Sequence, residues 1–369
     1  MITSFRRDFP ELEQVVHLNS AAMSLMPRQA KAALAEALAD RQVSSEKRSD
    51  IRLGRENRTR HRIAKLIRCS PGEICMVTNT SEGLNIIAQG LNLRKGDNVV
   101  LGEREHIANV LPWLNLQKQG IHVKRVSSEY GRDYSDSLLA AVDDRTRVVA
   151  VSYVGWIDGF RLDLANIGRF CREREIYFSV DAIQGVGAMD LDVSASSISF
   201  LSCGGYKWLM SPSGTGFIYV RRDLLPELEP RYLSYLSIDS DAERFDFRIR
   251  LKDDATRFRL GSISDIGIAA LERSLDMILG IGIQRVQTHI TELNGYAARA
   301  LAQKGYTIVS DLSPEHRSGI ISFHGQDVRA KYDRLIARGI IVSFRNGGIR
   351  LSPHFYNNRE DIERMLDVL

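Results

Sequence analysis

Short apolar runs alternate with amphipathic stretches over the first two thirds of the chain. The apolar runs have the length of buried β-strands and lie at Ile74–Thr78, Asn98–Leu101, His122–Val126, Val148–Tyr153, Ile176–Val180, Ile198–Ser202 and Gly216–Val220. Helical periodicity lies between the earlier runs, at Glu82–Leu93, Ile107–Gln119, Ser135–Val142 and Leu164–Arg174. This alternation predicts an α/β fold with a mostly parallel sheet and helices on both faces. The last strands follow each other without a helix, which predicts a hairpin or an antiparallel edge.

The pattern changes after residue 262. Two long helical stretches come first and are followed by short strands and two more helices: Ile263–Leu279, Val286–Gln303, Tyr306–Val309, Gly319–Phe323, Val328–Arg338, Ile340–Phe344, Ile349–Ser352 and a last helix from Arg359. We therefore predict a large α/β domain over residues 25–262 and a smaller α+β domain built from residues 1–24 and 263–369. No low-complexity linker separates them, so we expect the two domains to pack closely.

The composition narrows the class of protein. Of the 369 residues, 44% are apolar and 26% are charged, and a net charge of +4 is too small to indicate a nucleic-acid partner. No apolar run is long enough to span a membrane and the first residues lack a signal-peptide core, so we expect a cytoplasmic protein. The four cysteines show no metal-ligand spacing, so we expect reduced thiols and no metal site.

Two strand ends carry the most specific chemical signal. Asp181 follows the run Ile176–Val180, and Lys207 follows a Gly-Gly turn after Ile198–Ser202. Neighbouring strand ends that deliver an acid and an amine suit pyridoxal 5′-phosphate. The amine can hold this cofactor as a Schiff base, and the acid can keep its pyridine nitrogen protonated. Either residue alone is more often an ordinary loop residue, so the interpretation depends on the groups around them.

Polar groups after two other strands fit the rest of such a cofactor. Thr80 and Ser81 open a helix, where hydroxyl and backbone N–H groups form an anion site. Simple helix capping is the commoner use of these residue types. His106 also begins a helix, and its flat ring could stack on a pyridine. A surface histidine at a helix start is the alternative.

Three further side chains stand at useful positions. Gln184 lies three residues past Asp181 and is placed to hydrogen-bond the cofactor's phenolic oxygen. The Tyr206 hydroxyl could reach the phosphate, although an aromatic ring beside a Gly-Gly turn can also simply pack. Arg350 ends a short strand, and its planar guanidinium matches an amino-acid carboxylate, with a surface salt bridge as the alternative.

With these residues in hand, the chain resembles the class V aminotransferases. This fold-type-I family uses pyridoxal phosphate and includes cysteine desulfurases, selenocysteine lyases, kynureninases and isopenicillin-N-epimerase-like proteins. The resemblance covers nearly the whole chain and is carried by ordered matches at Asn19-Ser-Ala21-Ala22, Thr80-Ser81-Glu82, Glu105-His106-Ile-Ala-Asn109, Asp181-Ala-Ile-Gln184, Tyr206-Lys207-Trp-Leu, Gly261-Ser262 and Arg350-Leu-Ser-Pro. It implies a large domain with a mostly parallel seven-stranded sheet plus a smaller α+β domain.

The resemblance implies a role for each matched residue around the cofactor ring. Lys207 would hold pyridoxal phosphate covalently and later shuttle the proton on the substrate Cα. Asp181 would pair with the pyridinium nitrogen, and Gln184 with the phenolic oxygen. His106 would stack on the ring.

The resemblance also implies phosphate ligands and a quaternary structure. Thr80, Ser81 and Tyr206 would hold the phosphate. Ser262, in a Gly-Ser pair that matches the family's Gly-Thr, would reach the phosphate of a neighbouring subunit. This position implies a homodimer with shared active sites.

On the substrate side, the resemblance places Arg350 against the α-carboxylate. Asn19 and Ala21 would line the entrance. Trp156 would stand where desulfurases carry an asparagine near the ring oxygen. Four side chains near these positions have no role that the sequence can assign: Trp156, Asp158, Arg345 and His354.

Departures from the family pattern bear on the reaction. Desulfurases have His before the lysine and Ser or Thr three residues before it, where this chain has Tyr206 and Gly204. They also need a nucleophilic cysteine shortly before the carboxylate arginine, yet no cysteine follows Cys203. We therefore favour a β-eliminating C–S lyase that acts on a sulfur-bearing amino acid. Transamination is the next alternative, followed by epimerisation.

Two alternatives from other classes are disfavoured. The pairs Gly185/Gly187 and Gly214/Gly216 lack the third glycine and the following helix of a dinucleotide-binding motif. A catalytically silent scaffold would have no need for the intact set of Lys207, Asp181 and Arg350.

Overall fold

A computed structural model describes residues 2–127, 134–239 and 249–369. In these ranges the strands are β1 Val16–His17, β2 Ile74–Val77, β3 Asn98–Gly102, β4 His122–Val126, β5 Thr146–Ser152, β6 Tyr177–Asp181, β7 Phe200–Gly204, β8 Gly216–Val220, β9 Thr307–Ile308, β10 Ile321–His324, β11 Ile340–Ile341, β12 Ser343–Arg345 and β13 Gly348–Leu351. The helices are α1 Arg28–Ala39, α2 Ser45–Ile67, α3 Thr80–Gly90, α4 Ile107–Asn115, α5 Tyr134–Ala140, α6 Leu164–Glu173, α7 Asp265–Ile281, α8 Ile283–Gln303, α9 Val328–Ala337 and α10 Arg359–Leu366.

Seven strands form the large sheet, in the order β2-β8-β7-β6-β5-β3-β4. Strand β8 runs antiparallel to both of its neighbours, whereas β7, β6, β5, β3 and β4 pair in parallel. The mostly parallel α/β sheet predicted from the sequence is therefore confirmed, including its antiparallel strand.

Both faces of the large sheet are covered by apolar side chains. Along β5, Val149 and Val151 point into one core cluster, while Val148 and Ala150 point into another. Successive side chains in a strand point to opposite faces, so a sheet with helices on both sides needs a continuous apolar run. This requirement explains why the strand candidates lacked polar alternation.

The smaller sheet has the order β12-β13-β10-β9, with antiparallel pairing throughout. Its apolar face packs against helices α8 and α10 in a third core cluster that contains Phe323, Ile349, Leu293 and Ile362. The N-terminal strand β1 pairs in parallel with β11, which ties the start of the chain to this region.

The structure differs from the predicted elements at several places. The run Ile340–Phe344 was predicted as one strand, but β11 pairs with β1 and β12 pairs with β13. Helix α4 ends at Asn115 and continues as a 3₁₀ turn over Leu116–Gln119. Helix α1 was not predicted from the sequence, although Pro27 stands directly before its alanine-rich sequence and proline is common at helix starts.

The helix that follows residue 262 packs against the large domain. Helix α7 contacts α1 and α2, and its residues Ile268, Leu271, Leu275 and Ile278 belong to a cluster shared with the large sheet. The division into residues 25–262 and residues 1–24 with 263–369 stays a prediction. Across the described ranges, no helix combines the length and the apolar character needed to cross a bilayer.

Candidate active site

The carboxyl ends of the parallel strands bring the predicted site residues to one edge of the large sheet. Strand β6 ends at Asp181, which pairs in register with Ser202 on β7, and Lys207 follows the end of β7. His106 follows β3, and Trp156 follows β5. Ligand sites in α/β proteins lie outside this edge, so the topology itself gathers these residues.

A tight turn delivers Lys207. The Gly205 N–H donates to the Thr215 carbonyl (2.8 Å), and the Gly205 carbonyl accepts from the Ser211 N–H (3.0 Å). A Cβ on Gly205 would lie 2.3 Å from Ser211 Oγ, so only glycine fits there. The turn folds the chain back beneath the sheet edge, where Lys207 is 9% exposed.

Burial moves the pKa values of Asp181 and Lys207 towards each other. Loss of hydration raises the pKa of Asp181 to about 6, against the opposing effects of the Ile183 N–H and the charge of Lys207. Loss of hydration also lowers the pKa of Lys207 to about 8, and attraction to Asp181 only partly offsets this. A substantial fraction of the amine is therefore neutral, and thus nucleophilic, near physiological pH.

These groups fit pyridoxal phosphate. One Asp181 carboxylate oxygen accepts from the Ile183 N–H (3.0 Å), and the other oxygen is available for a second donor such as a pyridinium N–H. The buried, partly neutral amine of Lys207 is the group that an aldehyde requires. When bound, the cofactor supplies an electron sink for negative charge that develops at a substrate Cα.

His106 is held as a neutral ring. Its Nδ1 accepts from the Ala108 N–H (3.2 Å) at the start of α4, a bond that assigns the proton to Nε2. Burial, followed by the positive charges of Lys207 and Arg350, lowers the pKa of His106. The ring meets Trp156 edge to face, with 5.4 Å between centroids. A flat, uncharged ring beside Lys207 suits stacking on a pyridine.

Glu105 supports His106, a role that was not predicted from the sequence. Its carboxylate accepts from the Ser152 N–H (2.8 Å), the Ser152 hydroxyl (2.5 Å) and the Asn109 amide (3.0 Å). Burial raises the pKa of Glu105 to about 7 despite these bonds. The bonds fasten the start of α4 to the end of β5. The available signal was an acid directly before the histidine, with an amide one helical turn later.

The start of α3 is arranged as an anion site. The Asn79 side chain caps the Glu82 N–H (2.9 Å), so the first-turn N–H groups of Thr80 and Ser81 remain for an outside acceptor. The Ser81 side chain is exposed. The Thr80 hydroxyl instead accepts from the Gly204 N–H (2.9 Å), which joins α3 to β7.

The two departures beside Lys207 are sterically linked. A Cβ on Gly204 would lie 3.1 Å from Thr80 Oγ1 and 3.3 Å from Tyr206 Cε1. The tyrosine ring thus borders the space that a serine or threonine side chain at position 204 would need. Burial raises the pKa of Tyr206, so its hydroxyl stays protonated and can donate to a phosphate.

Gln184 is fixed by the N-terminal segment. Its Nε2 donates to the Ala21 carbonyl (3.0 Å), and its Oε1 accepts from Trp208 Nε1 (3.1 Å), which leaves one amide N–H for a ligand. The Ala21 N–H donates to Ser352 Oγ (2.9 Å). Ala21 is therefore a buried tie between the two sheets, whereas Asn19 is half-buried.

Arg350 presents a buried cation towards the site. The residue is 2% exposed, and one Nη donates to the Trp156 carbonyl. Its Nε is buried without a hydrogen-bond partner, and no carboxylate of the described residues lies within 4.0 Å of the guanidinium. Burial, followed by repulsion from Arg345, lowers the pKa of Arg350 to about 10. A buried, uncompensated guanidinium is unfavourable by itself and suits an anionic ligand.

His354 and Asp158 have structural partners. Nδ1 of His354 accepts from the Phe355 N–H (2.8 Å), so Nε2 donates to the Trp208 carbonyl (3.0 Å). Burial lowers the pKa of His354 to about 3, which keeps the ring neutral. Asp158 faces Arg104 at 3.4 Å and accepts from the Phe160 N–H.

Ser262 lies in a different environment from the site residues around Lys207. Its hydroxyl contacts Arg52 Nη1 (3.1 Å) and the Tyr235 hydroxyl (3.2 Å). A cavity of about 600 Å³ surrounds it and is also lined by Arg48 and Ser49. Lys207 and Asp181 do not line this cavity.

The fold, the lysine–acid pair and the anion sites together define a class of protein. The chain belongs to the class-V aminotransferase family, whose sequence profile matches residues 16–365. This family depends on pyridoxal phosphate, and the chain is a pyridoxal-phosphate enzyme of its cysteine desulfurase branch.

Individual relatives are consistent with this assignment. The chain is 30% identical to a probable cysteine desulfurase of Methanothermobacter thermautotrophicus, over 99% of this chain and 96% of that protein. It is 29% identical to an uncharacterized aminotransferase of Schizosaccharomyces pombe, over 84% of this chain and 80% of that protein. Its fold matches the apo structure of a cysteine desulfurase from Thermococcus onnurineus, with a TM-score of 0.91, 24% identity, and coverage of 99% of this chain and 96% of that one.

Proposed function

We propose that the protein is a β-eliminating C–S lyase that acts on a sulfur-bearing amino acid. The observation that carries this proposal is the site of Lys207, Asp181 and Arg350 combined with the lack of a suitably placed cysteine thiol. Similarity to a probable cysteine desulfurase supports a sulfur-bearing substrate. The same similarity raises the question of which group accepts the sulfur.

A two-residue turn stands where desulfurases carry a cysteine loop. Asn346 and Gly347 have φ of 47° and 73° and join β12 to β13 as a tight hairpin. The four cysteines are free and belong to other elements. Cys203 precedes Lys207 in sequence, but its residue is fully buried and burial raises the pKa of its thiol. The thiolate that sulfur transfer needs is therefore disfavoured, and we expect sulfur to leave as a free thiol.

Each residue of the site has a defined task in this proposal. Lys207 would hold the cofactor covalently and, once its amine is freed, would take the Cα proton. Asp181 would keep the pyridine nitrogen of the cofactor protonated. Arg350 binds the α-carboxylate and so orients the Cα–H bond towards Lys207.

The reaction balances without an external oxidant. The Cα proton passes to Lys207, the Cβ–S bond breaks, and sulfur leaves with the bonding electrons as a thiolate that is then protonated. Addition of water to the remaining three-carbon fragment releases pyruvate and ammonia.

The decisive experiment incubates the cofactor-loaded protein with a panel of amino acids. We expect pyruvate and a thiol or sulfide to form in equal amounts without any added keto acid. Product formation only with an added keto acid, together with an aminated cofactor, would replace the proposal by transamination. Loss of optical activity without either product would replace it by epimerisation.

We further propose that the protein is a homodimer in which Ser262 reaches the phosphate of the partner's cofactor. The cavity around Ser262 is lined by the cations Arg48 and Arg52, and Lys207 of the same chain does not line it. Exposed apolar side chains nearby, such as Tyr235 at 47% exposure, are suited to a subunit contact. Light scattering after gel filtration should give twice the mass of one chain, and a monomer that is fully active would refute the shared site.

A further inference from the structure

The small antiparallel sheet presents two different faces. Phe344 and Ile349 pair across β12 and β13; Ile349 belongs to the third core cluster, and Phe344 packs against it. Side chains alternate along a strand, so Ser343, Arg345 and Arg350 lie on the opposite face. The register places Ser343 opposite Arg350 and Arg345 opposite Gly348.

This second face looks towards the large-sheet edge. Arg350 donates to the Trp156 carbonyl, and the Ser322 hydroxyl, next to Arg350 across the strands, donates to the Ile157 carbonyl. The positive charge of Arg345 acts on both Lys207 and Arg350, lowering the pKa of each. Arg345 is thus near enough to the reacting amine to influence it electrostatically.

The hairpin fixes where Arg345 stands. Both turn residues, Asn346 and Gly347, have positive φ, the conformation of a type I′ turn, which matches the strand twist. Arg345 and Arg350 are diagonal neighbours across the two strands, and such positions lie about 7–8 Å apart. On this face of the sheet, the exposed guanidinium of Arg345 can therefore lie about one side-chain length away from the buried guanidinium of Arg350.

Among the residues that the structure describes, neither Arg345 nor Arg350 has an acidic partner. Over residues 2–127, 134–239 and 249–369, no carboxylate lies within 4.0 Å of the Arg345 guanidinium, whose hydrogen bond goes to the adjacent Phe344 carbonyl (3.0 Å). On the other side of the same strand, Arg329 lies over the Phe344 ring and pairs with Asp333. Two arginines placed side by side repel each other, and one α-carboxylate can neutralise only one of them.

We propose that Arg345 binds a second anionic group, carried on the side chain of the substrate, while Arg350 binds the α-carboxylate. The substrate class is then an amino acid with a carboxylate beyond the Cβ–S bond. This inference rests on the proposed function, because it takes the α-carboxylate to be at Arg350. The face of the small sheet that carries Arg345 and Arg350 would then select the leaving group of the substrate.

Two probes of similar size test this assignment: S-carboxymethyl-L-cysteine, which carries the second carboxylate, and S-ethyl-L-cysteine, which lacks it. Binding is measured from the absorbance change of the cofactor-loaded protein, and KM and kcat from pyruvate release. We expect the wild type to bind the carboxymethyl compound at least about tenfold more tightly, the size of one charged hydrogen bond. Arg345→Gln should abolish this preference and leave the S-ethyl-L-cysteine Kd within about twofold, and Arg345→Lys should restore part of it.

Arg329→Gln is the matched control, because it removes one arginine of helix α9 that packs over Phe344 on the opposite face of β12, and it should leave both Kd values unchanged. Equal weakening of both probes by Arg345→Gln, or no change in either, would overturn the inference. A failure of the proposed function would give a different experimental result from a failure of this inference. In that case Arg350→Ala would leave the binding of S-ethyl-L-cysteine intact, or neither probe would perturb the cofactor.

Discussion

The edge of the large sheet and one face of the small sheet both carry buried charged groups. The first pairs an acid with an amine, whereas the second places two cations near each other. At the large-sheet edge, Asp181 and Lys207 partly compensate each other, and burial shifts the pKa of each towards neutrality. On the small-sheet face, Arg350 is 2% exposed and has Arg345, another cation, as its charged neighbour. The large-sheet edge therefore has opposite charges that partly compensate each other, whereas the positive charge of the small-sheet face requires an anion from outside the chain.

This difference separates the two kinds of work in the site. A compensated acid–amine pair can exchange protons near neutral pH, which is what covalent attachment and Cα deprotonation require. The guanidinium of Arg350 stays positively charged near neutral pH and is suited to binding a carboxylate in a fixed orientation. We therefore propose that the large-sheet edge carries the chemistry and that the small-sheet face recognises the substrate.

The largest effect should follow from removing the amine. Lys207→Ala is expected to lower kcat by about 10⁴-fold, the upper end for loss of a general base, because the variant also loses its covalent link to the cofactor. Borohydride reduction followed by mass spectrometry should find no adduct at this position. The exposed Lys65 offers a control, Lys65→Ala, which should keep both properties. Retention of turnover and adduct by Lys207→Ala would show that the lysine is wrongly assigned.

A smaller effect should follow on the small-sheet face. Arg350→Ala is expected to raise KM by about 100-fold, since truncating one partner of a buried charge pair weakens binding by about 2–5 kcal/mol. The amount of bound cofactor should stay the same, because Arg350 is assigned to the substrate. An unchanged KM, or a loss of cofactor equal to the loss of activity, would contradict the division between the two regions.

The smallest effect concerns stability without cofactor. The pKa of Asp181 is about 6 in the folded chain against 3.8 for an ordinary aspartate, so its contribution to stability is fully present below pH 3.8 and is lost as pH rises through about 6. Asp181→Asn should therefore stabilise the apoprotein at pH 8 relative to pH 4, by up to about 3 kcal/mol. Urea unfolding at both pH values checks this. If Asp181→Asn changed the free energy of unfolding equally at the two pH values, burial would not raise the pKa of Asp181.

Much of the fold and the identity of the site could be predicted from local sequence. The strand–helix alternation predicted the large sheet because each buried strand needs an apolar run of its own. Asp181 and Lys207 could be singled out because Asp181 ends one strand and Lys207 follows a short turn after the next, and parallel strands end at one edge. The hairpin before Arg350 was not predicted, although Asn346 and Gly347 are residue types that tolerate positive φ.

Other features depend on contacts between distant segments. Gln184 is tied to Ala21, far away in the sequence, and Glu105 is tied to Ser152, so neither partner follows from local pattern. The sequence also could not show how the surroundings of His106 and His354 differ. His106 faces the site, whereas both ring nitrogens of His354 are hydrogen-bonded to backbone groups.

The sequence by itself determined which residues could hold a cofactor, because strand ends and turns are set by local composition. Only the tertiary structure decided which charges are compensated. Compensation depends on which side chains from remote elements come within a few ångströms of one another, and on how much water that packing removes.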